Sequence, residues 1–155
     1  ACSNLKNKPD FEMNLKTFKQ TLDKIWDSGI REVYLIGGEP TVHSKFEKIV
    51  AILLKYKWKK IGLCTNGVGI STETQKLIKE SFDYVSVSIR GDSTTTAKIT
   101  SLLNSFNETN KFLKYLSENK RNQIYIGLDL LPQYLKQFKS IMRLLERKEI
   151  LFYKI

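Results

Sequence analysis

The stretch that most constrains this chain is Val33-Tyr34-Leu35-Ile36-Gly37-Gly38-Glu39-Pro40-Thr41. Its four consecutive apolar or aromatic residues, with no polar alternation, predict a strand buried on both faces, as in a parallel sheet. Gly37 and Gly38 permit dihedrals or close backbone approaches that a side chain forbids. Pro40 pushes Glu39 towards an extended conformation. A carboxylate is therefore expected at the carboxyl end of a central strand, where open α/β sheets and (β/α) barrels carry their chemistry. The plainer alternative is a strand-to-helix turn with a solvated glutamate.

The rest of the chain alternates helix and strand. Residues 1–11 are polar and read as a loop. Asn14 is a helix N-cap, and Leu15, Phe18, Leu22, Ile25 and Trp26 share one helical face until Gly29 stops the helix. After the Gly-Gly-Glu-Pro strand, a second helix carries Phe46, Ile49, Val50, Leu53 and Leu54, with Lys45, Lys48, Lys55 and Lys59 turned to water. Residues 60–64 form a strand ending at Thr65-Asn66-Gly67, a tight-turn sequence. Thr72 with Gln75 makes a capping box for a short helix bearing Leu77, Ile78 and Phe82. Residues 84–89 form the next strand, leaving through Arg90-Gly91-Asp92. Ser105 and Glu108 are expected to cap a helix that buries Phe106, Phe112, Leu113 and Leu116. Residues 124–131 give another strand, Pro132 opens the last helix, and residues 150–153 begin a final strand.

Such alternation demands right-handed crossovers between parallel strands. It predicts an α/β fold, a parallel sheet or partial barrel, as one domain spanning residues 1–155. Three strand exits carry polar groups expected on one rim: Glu39, then Thr65 and Asn66, then Ser88 and Arg90. Glutamate accepts hydrogen bonds from an ammonium, and arginine clamps a carboxylate bidentately. Asn66 offers donor and acceptor, and Ser88 a small hydroxyl. The set suits a zwitterionic amino acid joined to a sugar. A phosphate cradle suits it less, since no Gly-x-Gly-x-x-Gly or Walker lysine is present. His43, the one histidine, sits in the first helical turn, where capping is its commoner role.

Composition narrows the partners. Lys and Arg outnumber Asp and Glu by 26 to 16, a formal charge of +10, which favours an anionic partner. The lysines read as spread through amphipathic helices, so dedicated nucleic-acid binding is not expected. No stretch reaches the roughly 18 apolar residues of a membrane span, so neither a membrane partner nor a location outside the cytoplasm is expected. Cys2 and Cys64 make no disulfide framework. Cys2 near the first residue and a strand at the last suggest a piece of a longer chain, with a first strand upstream.

Gly37-Gly38-Glu39-Pro40-Thr41, Thr65-Asn66-Gly67 and Val87-Ser88-Ile89-Arg90-Gly91, at this spacing, resemble the core domain of the radical S-adenosylmethionine enzymes. The similarity also takes in Phe11-Glu12-Met13-Asn14-Leu15 and Ala97-Lys98-Ile99-Thr100. It implies a (β/α)6 partial barrel of TIM type whose first strand is missing here. It implies a 4Fe-4S cluster held by a Cys-x-x-x-Cys-x-x-Cys loop. That motif is absent; Cys2 stands at about the third cysteine, although Ala1 replaces the aromatic residue usual before it. The resemblance further implies S-adenosylmethionine bound by Gly37, Gly38, Glu39, Thr65, Asn66, Ser88 and Arg90. Glu39 would receive the ammonium, Asn66 and Ser88 the methionine or ribose side, and Arg90 the carboxylate. Reductive cleavage of that cofactor would give a 5'-deoxyadenosyl radical that abstracts hydrogen from a peptide or small-molecule substrate. Flavodoxin or ferredoxin would supply the electron. Two alternatives stand beside this: a degenerate barrel serving as a binding or scaffold module, and an ordinary α/β enzyme using Glu39 for acid-base work.

Overall fold

The computed structural model describes residues 12–89, 105–118, 123–128 and 151–153. In chain order the elements are helix α1 (Leu15–Asp27), strand β1 (Glu32–Leu35), a single 3-10 turn (Pro40–Val42), α2 (Phe46–Leu53), β2 (Lys60–Thr65), α3 (Thr72–Ser81), β3 (Tyr84–Ile89), α4 (Ser105–Ser117), β4 (Gln123–Leu128) and β5 (Leu151–Tyr153). The expected loop at 1–11, Cys2, Arg90, and the helix opening at Pro132 lie outside the described residues.

All five strands run parallel, in the order β1-β2-β3-β4-β5. Spatial order equals sequence order, with no switch of direction. The described connecting helices α2, α3 and α4 all contribute to one core against the sheet, as crossovers of one hand require. This is the arrangement of an open (β/α) barrel rather than of a doubly wound sheet, whose strand order reverses.

Burial along β3 records the two faces. Val85, Val87 and Ile89 are buried, while Tyr84, Ser86 and Ser88 between them are only partly so. The buried set joins Ile61, Leu63 and Ile126 in a core with Ile49, Val50 and Leu53 of α2, Ile78 of α3, and Phe112, Leu113 and Leu116 of α4. Phe112, Leu63, Leu113 and Leu116 are each at most 1% exposed. Burying such a side chain contributes about 1.5–3 kcal/mol, so this layer sets the position of everything on the rim.

The other face bears no helix among the described residues. Register places Tyr34, Gly62 and Tyr84 side by side on it, then Cys64, Ser86 and Tyr125, then Ser88 and Gly127. Tyr34 stacks on Tyr84 at 6.2 Å between centroids, and Tyr84 tilts against Tyr125 at 5.6 Å. Gly62 makes room for the first of these rings: a Cβ there would lie 2.2 Å from Tyr34 Cδ1. The expected burial of residues 33–36 on both faces is thereby corrected, since Tyr34 is 54% exposed and Ile36 67%. Their side of the sheet has no helical layer, and β1 is the outermost described strand.

Local signals mostly hold. Asn14 Oδ1 caps α1 by accepting from Thr17 N at 2.9 Å. The start of α3 is shifted by one: Thr72 is already helical, and Ser71, extended at ψ 159°, accepts from Thr74 N at 3.2 Å. Gln75 instead donates to Ile70 O. Leu54 is 48% exposed because α2 ends at Leu53. Ser105 is the buried first residue of α4, and Glu108 reaches across to accept from Gly69 N at 2.8 Å.

Candidate functional site

The carboxyl ends of β1 and β2 are tied together by one side chain. Glu39 Oε1 accepts from the Thr41 hydroxyl at 2.7 Å, from Thr41 N at 3.3 Å and from the Thr65 hydroxyl at 2.7 Å. Oε2 accepts from Asn66 N at 2.7 Å. The local backbone explains the aim. Glu39 is extended (φ −145°, ψ 106°) with Pro40 opening the 3-10 turn behind it, so the carboxylate folds back over Thr41 and across to β2. Donors converging on an ionised acceptor make stronger bonds than neutral pairs. Glu39 is thus no solvated turn residue.

The turn after β2 is held as closely. Thr65, 3% exposed, donates to Glu39 and accepts from Gly67 N at 3.1 Å, so both functions of its hydroxyl are used. Asn66 Oδ1 accepts from Val68 N at 2.8 Å, forming an Asx turn. The Thr109 hydroxyl on α4 lies 2.7 Å from Asn66 O. Among the described residues this leaves the Asn66 amide N–H groups and the second lone pair of Glu39 Oε2 as the polar capacity here. Gly37 and Gly38 border it as open space, since a Cβ added to either would meet nothing within 4 Å. No neighbour within the described chain requires glycine at these positions.

Ser88 lies farther along the same rim, half-buried on the helix-free face beside Gly127. Glu39, Thr65 and Asn66 are thus in direct contact, Gly37 and Gly38 adjoin them, and Ser88 shares the helix-free face. Sequence reasoning passed over Ser86, Cys64 and Gly127, which carpet that face with small side chains. Period-two alternation in residues 84–89 was the available signal. It also passed over Thr109 and Glu108, whose contacts with Asn66 and Gly69 are purely tertiary. His43 lies ahead of α2 rather than in its first turn, and it does not cap that helix: Nδ1 accepts from Lys45 N at 3.0 Å, and Nε2 lies 3.0 Å from Met13 O. That network assigns the proton to Nε2.

Burial pushes the Cys64 thiol above its ordinary range; a hydrogen bond with Ser86 opposes the shift and the Glu39 charge adds to it. A thiol held protonated is a poor nucleophile. Alkylation of Cys64 by iodoacetamide at neutral pH is expected to be at least about tenfold slower in the native chain than in denaturant. Equal rates by mass spectrometry would count against this environment. The sign for stability follows from the raised value: the contribution is intact below the unfolded-state value and declines as pH rises through the folded one. Among the described residues no group of three or more His, Cys, Asp or Glu side chains is arranged to hold a metal ion.

A sequentially ordered parallel sheet with the described helices on one face and a polar carboxyl rim is the arrangement of a partial (β/α) barrel. The family model of the radical SAM superfamily matches residues 2–145, and the chain belongs to that superfamily. Two curated relatives are the antilisterial bacteriocin subtilosin biosynthesis protein AlbA of Bacillus subtilis and a GTP 3',8-cyclase of Synechocystis. The first is 31% identical over 110 residues, 69% of this chain and 24% of AlbA. The second is 26% identical over 147 residues, 86% of this chain and 44% of the cyclase. The chain thus spans less than half the length of either. Among solved structures, Streptococcus suis SuiB bound to its precursor peptide SuiA superposes with a TM-score of 0.78 at 21% identity, covering 94% of this chain and 33% of SuiB. Native anSMEcpe with bound AdoMet gives 0.66 at 20% identity, covering 96% and 44%. These structures share the fold. No helix among the described residues is long and apolar enough to cross a membrane.

Proposed function

We propose that residues 1–155 form the core domain of a radical SAM enzyme, binding S-adenosylmethionine at the rim and acting on a peptide or small-molecule substrate. One observation carries this: the Glu39 carboxylate, fixed between β1 and β2, adjoins open space at Gly37 and Gly38 and keeps a free lone pair on Oε2. A sulfonium amino acid presents an ammonium to that lone pair. The Asn66 amide N–H groups and Ser88 serve the methionine or ribose side, and Arg90 the carboxylate. Thr65 acts through Glu39, holding it in place. Cys2 would be one ligand holding a 4Fe-4S cluster, which when bound would supply the electron for reductive cleavage of the sulfonium.

The chain's own task is to fix the cofactor and shield it. Positioning reactants at near-contact distance contributes much of such a rate, and a cofactor brings the difficult chemistry. A peptide substrate is supported by the shared fold with SuiB, whose structure holds its precursor peptide. Flavodoxin or ferredoxin would deliver the electron, and a free Cys64 suits a reducing cytoplasm.

Anaerobic reconstitution of the full-length protein with iron and sulfide, then dithionite and S-adenosylmethionine, is expected to yield 5'-deoxyadenosine and methionine. Chromatography with mass spectrometry reads the products. Absence of 5'-deoxyadenosine from a protein with an assembled cluster and its native substrate would defeat the proposal.

A further inference from the structure

At the opposite end of the sheet, the turn between α2 and β2 reads Lys55-Tyr56-Lys57-Trp58-Lys59-Lys60. β2 runs six residues from Lys60 to the rim at Thr65, a span of about 20 Å. This tract is therefore remote from Glu39 and takes no part in the rim.

Its side chains sort by type. Tyr56 and Trp58 are partly buried, whereas Lys55, Lys57 and Lys59 are exposed. The rings are fastened inward. Tyr56 donates to Asp23 on α1, and Trp58 Nε1 donates to Leu53 O at 2.8 Å. Trp26 meets Trp58 edge-on at 5.1 Å and Tyr56 at 5.8 Å, and Tyr56 lies 5.2 Å from Trp58. Arg31 sits 3.8 Å over the Trp26 ring and donates to Trp26 O at 2.7 Å. Arg31 O also receives Lys59 N at 2.7 Å. Three aromatic rings and an arginine thus pin the turn, and every second residue is driven outward as a lysine.

The resulting surface is rich in lysine, and the exposed Asp27 at the end of α1 bears on it through Tyr56. Lys24, exposed in the last turn of α1, lies between Asp23 and Trp26, both of which contact Tyr56. Among the described residues Lys24, Lys55 and Lys57 have no ion pair, and Lys59 has only a 3.8 Å approach to Glu32. Asp23 is already engaged by Lys19 at 2.8 Å and by Tyr56. Unpaired lysines held on a fixed turn offer positive charge whose backbone ordering cost has been met by folding.

We infer that this Lys24/Lys55/Lys57/Lys59 surface is a docking site for an acidic peptide segment, separate from the catalytic rim. Charge complementarity selects the sign of the partner. The rings select its class. A single-stranded nucleic acid needs aromatic faces for its bases, and here Trp26 lies under Arg31 while the three rings are spent on one another. Ammonium groups on flexible stems remain, suited to side-chain carboxylates.

The test uses the full-length protein with three labelled probes at low salt: an Asp/Glu-rich peptide, a neutral peptide of equal length, and a single-stranded RNA oligonucleotide. Anisotropy of the probe reads binding, and the part of the tryptophan emission change that Trp58→Phe removes reads location. The acidic peptide is expected to bind saturably, to shift the tryptophan emission, and to weaken about tenfold in the double variant Lys55→Glu, Lys57→Glu. A control reversal, Lys16→Glu with Lys111→Glu, distinguishes the surface from general positive charge and is expected to leave affinity within about twofold. No saturable binding, equal loss in the control, or tighter binding of the RNA through the same lysines would each overturn the inference. None of these readouts depends on cluster or cofactor, so their failure is distinguishable from failure of the proposed enzymatic function.

Discussion

Replacing Glu39 with alanine is expected to lower the unfolding free energy by about 2–4 kcal/mol and to weaken S-adenosylmethionine binding at least about tenfold. The stability loss arises because donors from both strands end on this carboxylate. Without it, the hydroxyls of Thr41 and Thr65 can turn to other acceptors, but the Asn66 N–H cannot. Leaving a partly buried donor unmet costs about 1–3 kcal/mol. Glu39→Gln separates the two roles. Its carbonyl oxygen can still receive Asn66 N while its amide faces the threonine hydroxyls, so about half the alanine penalty is expected. The neutral amide keeps a polar group but removes the charge that an ammonium seeks. Cofactor affinity measured by calorimetry should therefore fall in the glutamine variant nearly as far as in alanine. A glutamine variant of parental affinity would reduce Glu39 to a clamp between strands.

That double role shows what the sequence displays and what it hides. Gly-Gly-Glu-Pro after an apolar run announces a carboxylate at a strand end, because glycine, acid and proline each restrict the backbone locally. The partners of Glu39 could be guessed only as far as Thr65 and Asn66 close a second strand. Strand and helix succession was legible throughout the described residues, since periodicity is a property of neighbouring residues. Which face would be bare was not. Tyr34 and Ile36 belong to an unbroken apolar run, and only the sequential strand order reveals that one side lacks helices. In residues 84–89 the alternation of Val85, Val87 and Ile89 with Tyr84, Ser86 and Ser88 did encode the answer.

Contacts made across long chain separations were the least legible. Nothing near Glu108 or Thr109 signals that they meet Gly69 and Asn66; the Ser-x-x-Glu spacing speaks only of the local helix start. The basic turn at 55–60 was similarly obscured. Its lysines looked like the polar face of a helix, and only the end of α2 at Leu53 turns them into an aromatic-anchored strip.

Gly67→Val is expected to destabilise the chain by about 3–5 kcal/mol, as read by denaturant unfolding. Gly67 has φ +72°, a left-handed conformation that costs an ordinary L-residue about 1–2 kcal/mol and a β-branched one more. Space is the second obstacle. A Cβ there would lie 3.0 Å from Phe112 Cδ1, and Phe112 is 1% exposed at the centre of the helical layer, so its ring has little freedom to withdraw. The consequence reaches the rim, because the Gly67 N–H is bonded to the Thr65 hydroxyl, which in turn donates to Glu39. Gly67→Ala keeps the dihedral strain with less crowding, so a loss of about 1–3 kcal/mol is expected. Pairing it with Phe112→Leu apportions the two terms in a double-mutant cycle. If crowding by Phe112 is a real part of the penalty, alanine at 67 should cost about 1 kcal/mol less in the Phe112→Leu background than in the parent. Strict additivity would assign the whole penalty to the dihedral, and a Gly67→Val variant as stable as the parent would refute the left-handed turn on which Asn66 is mounted.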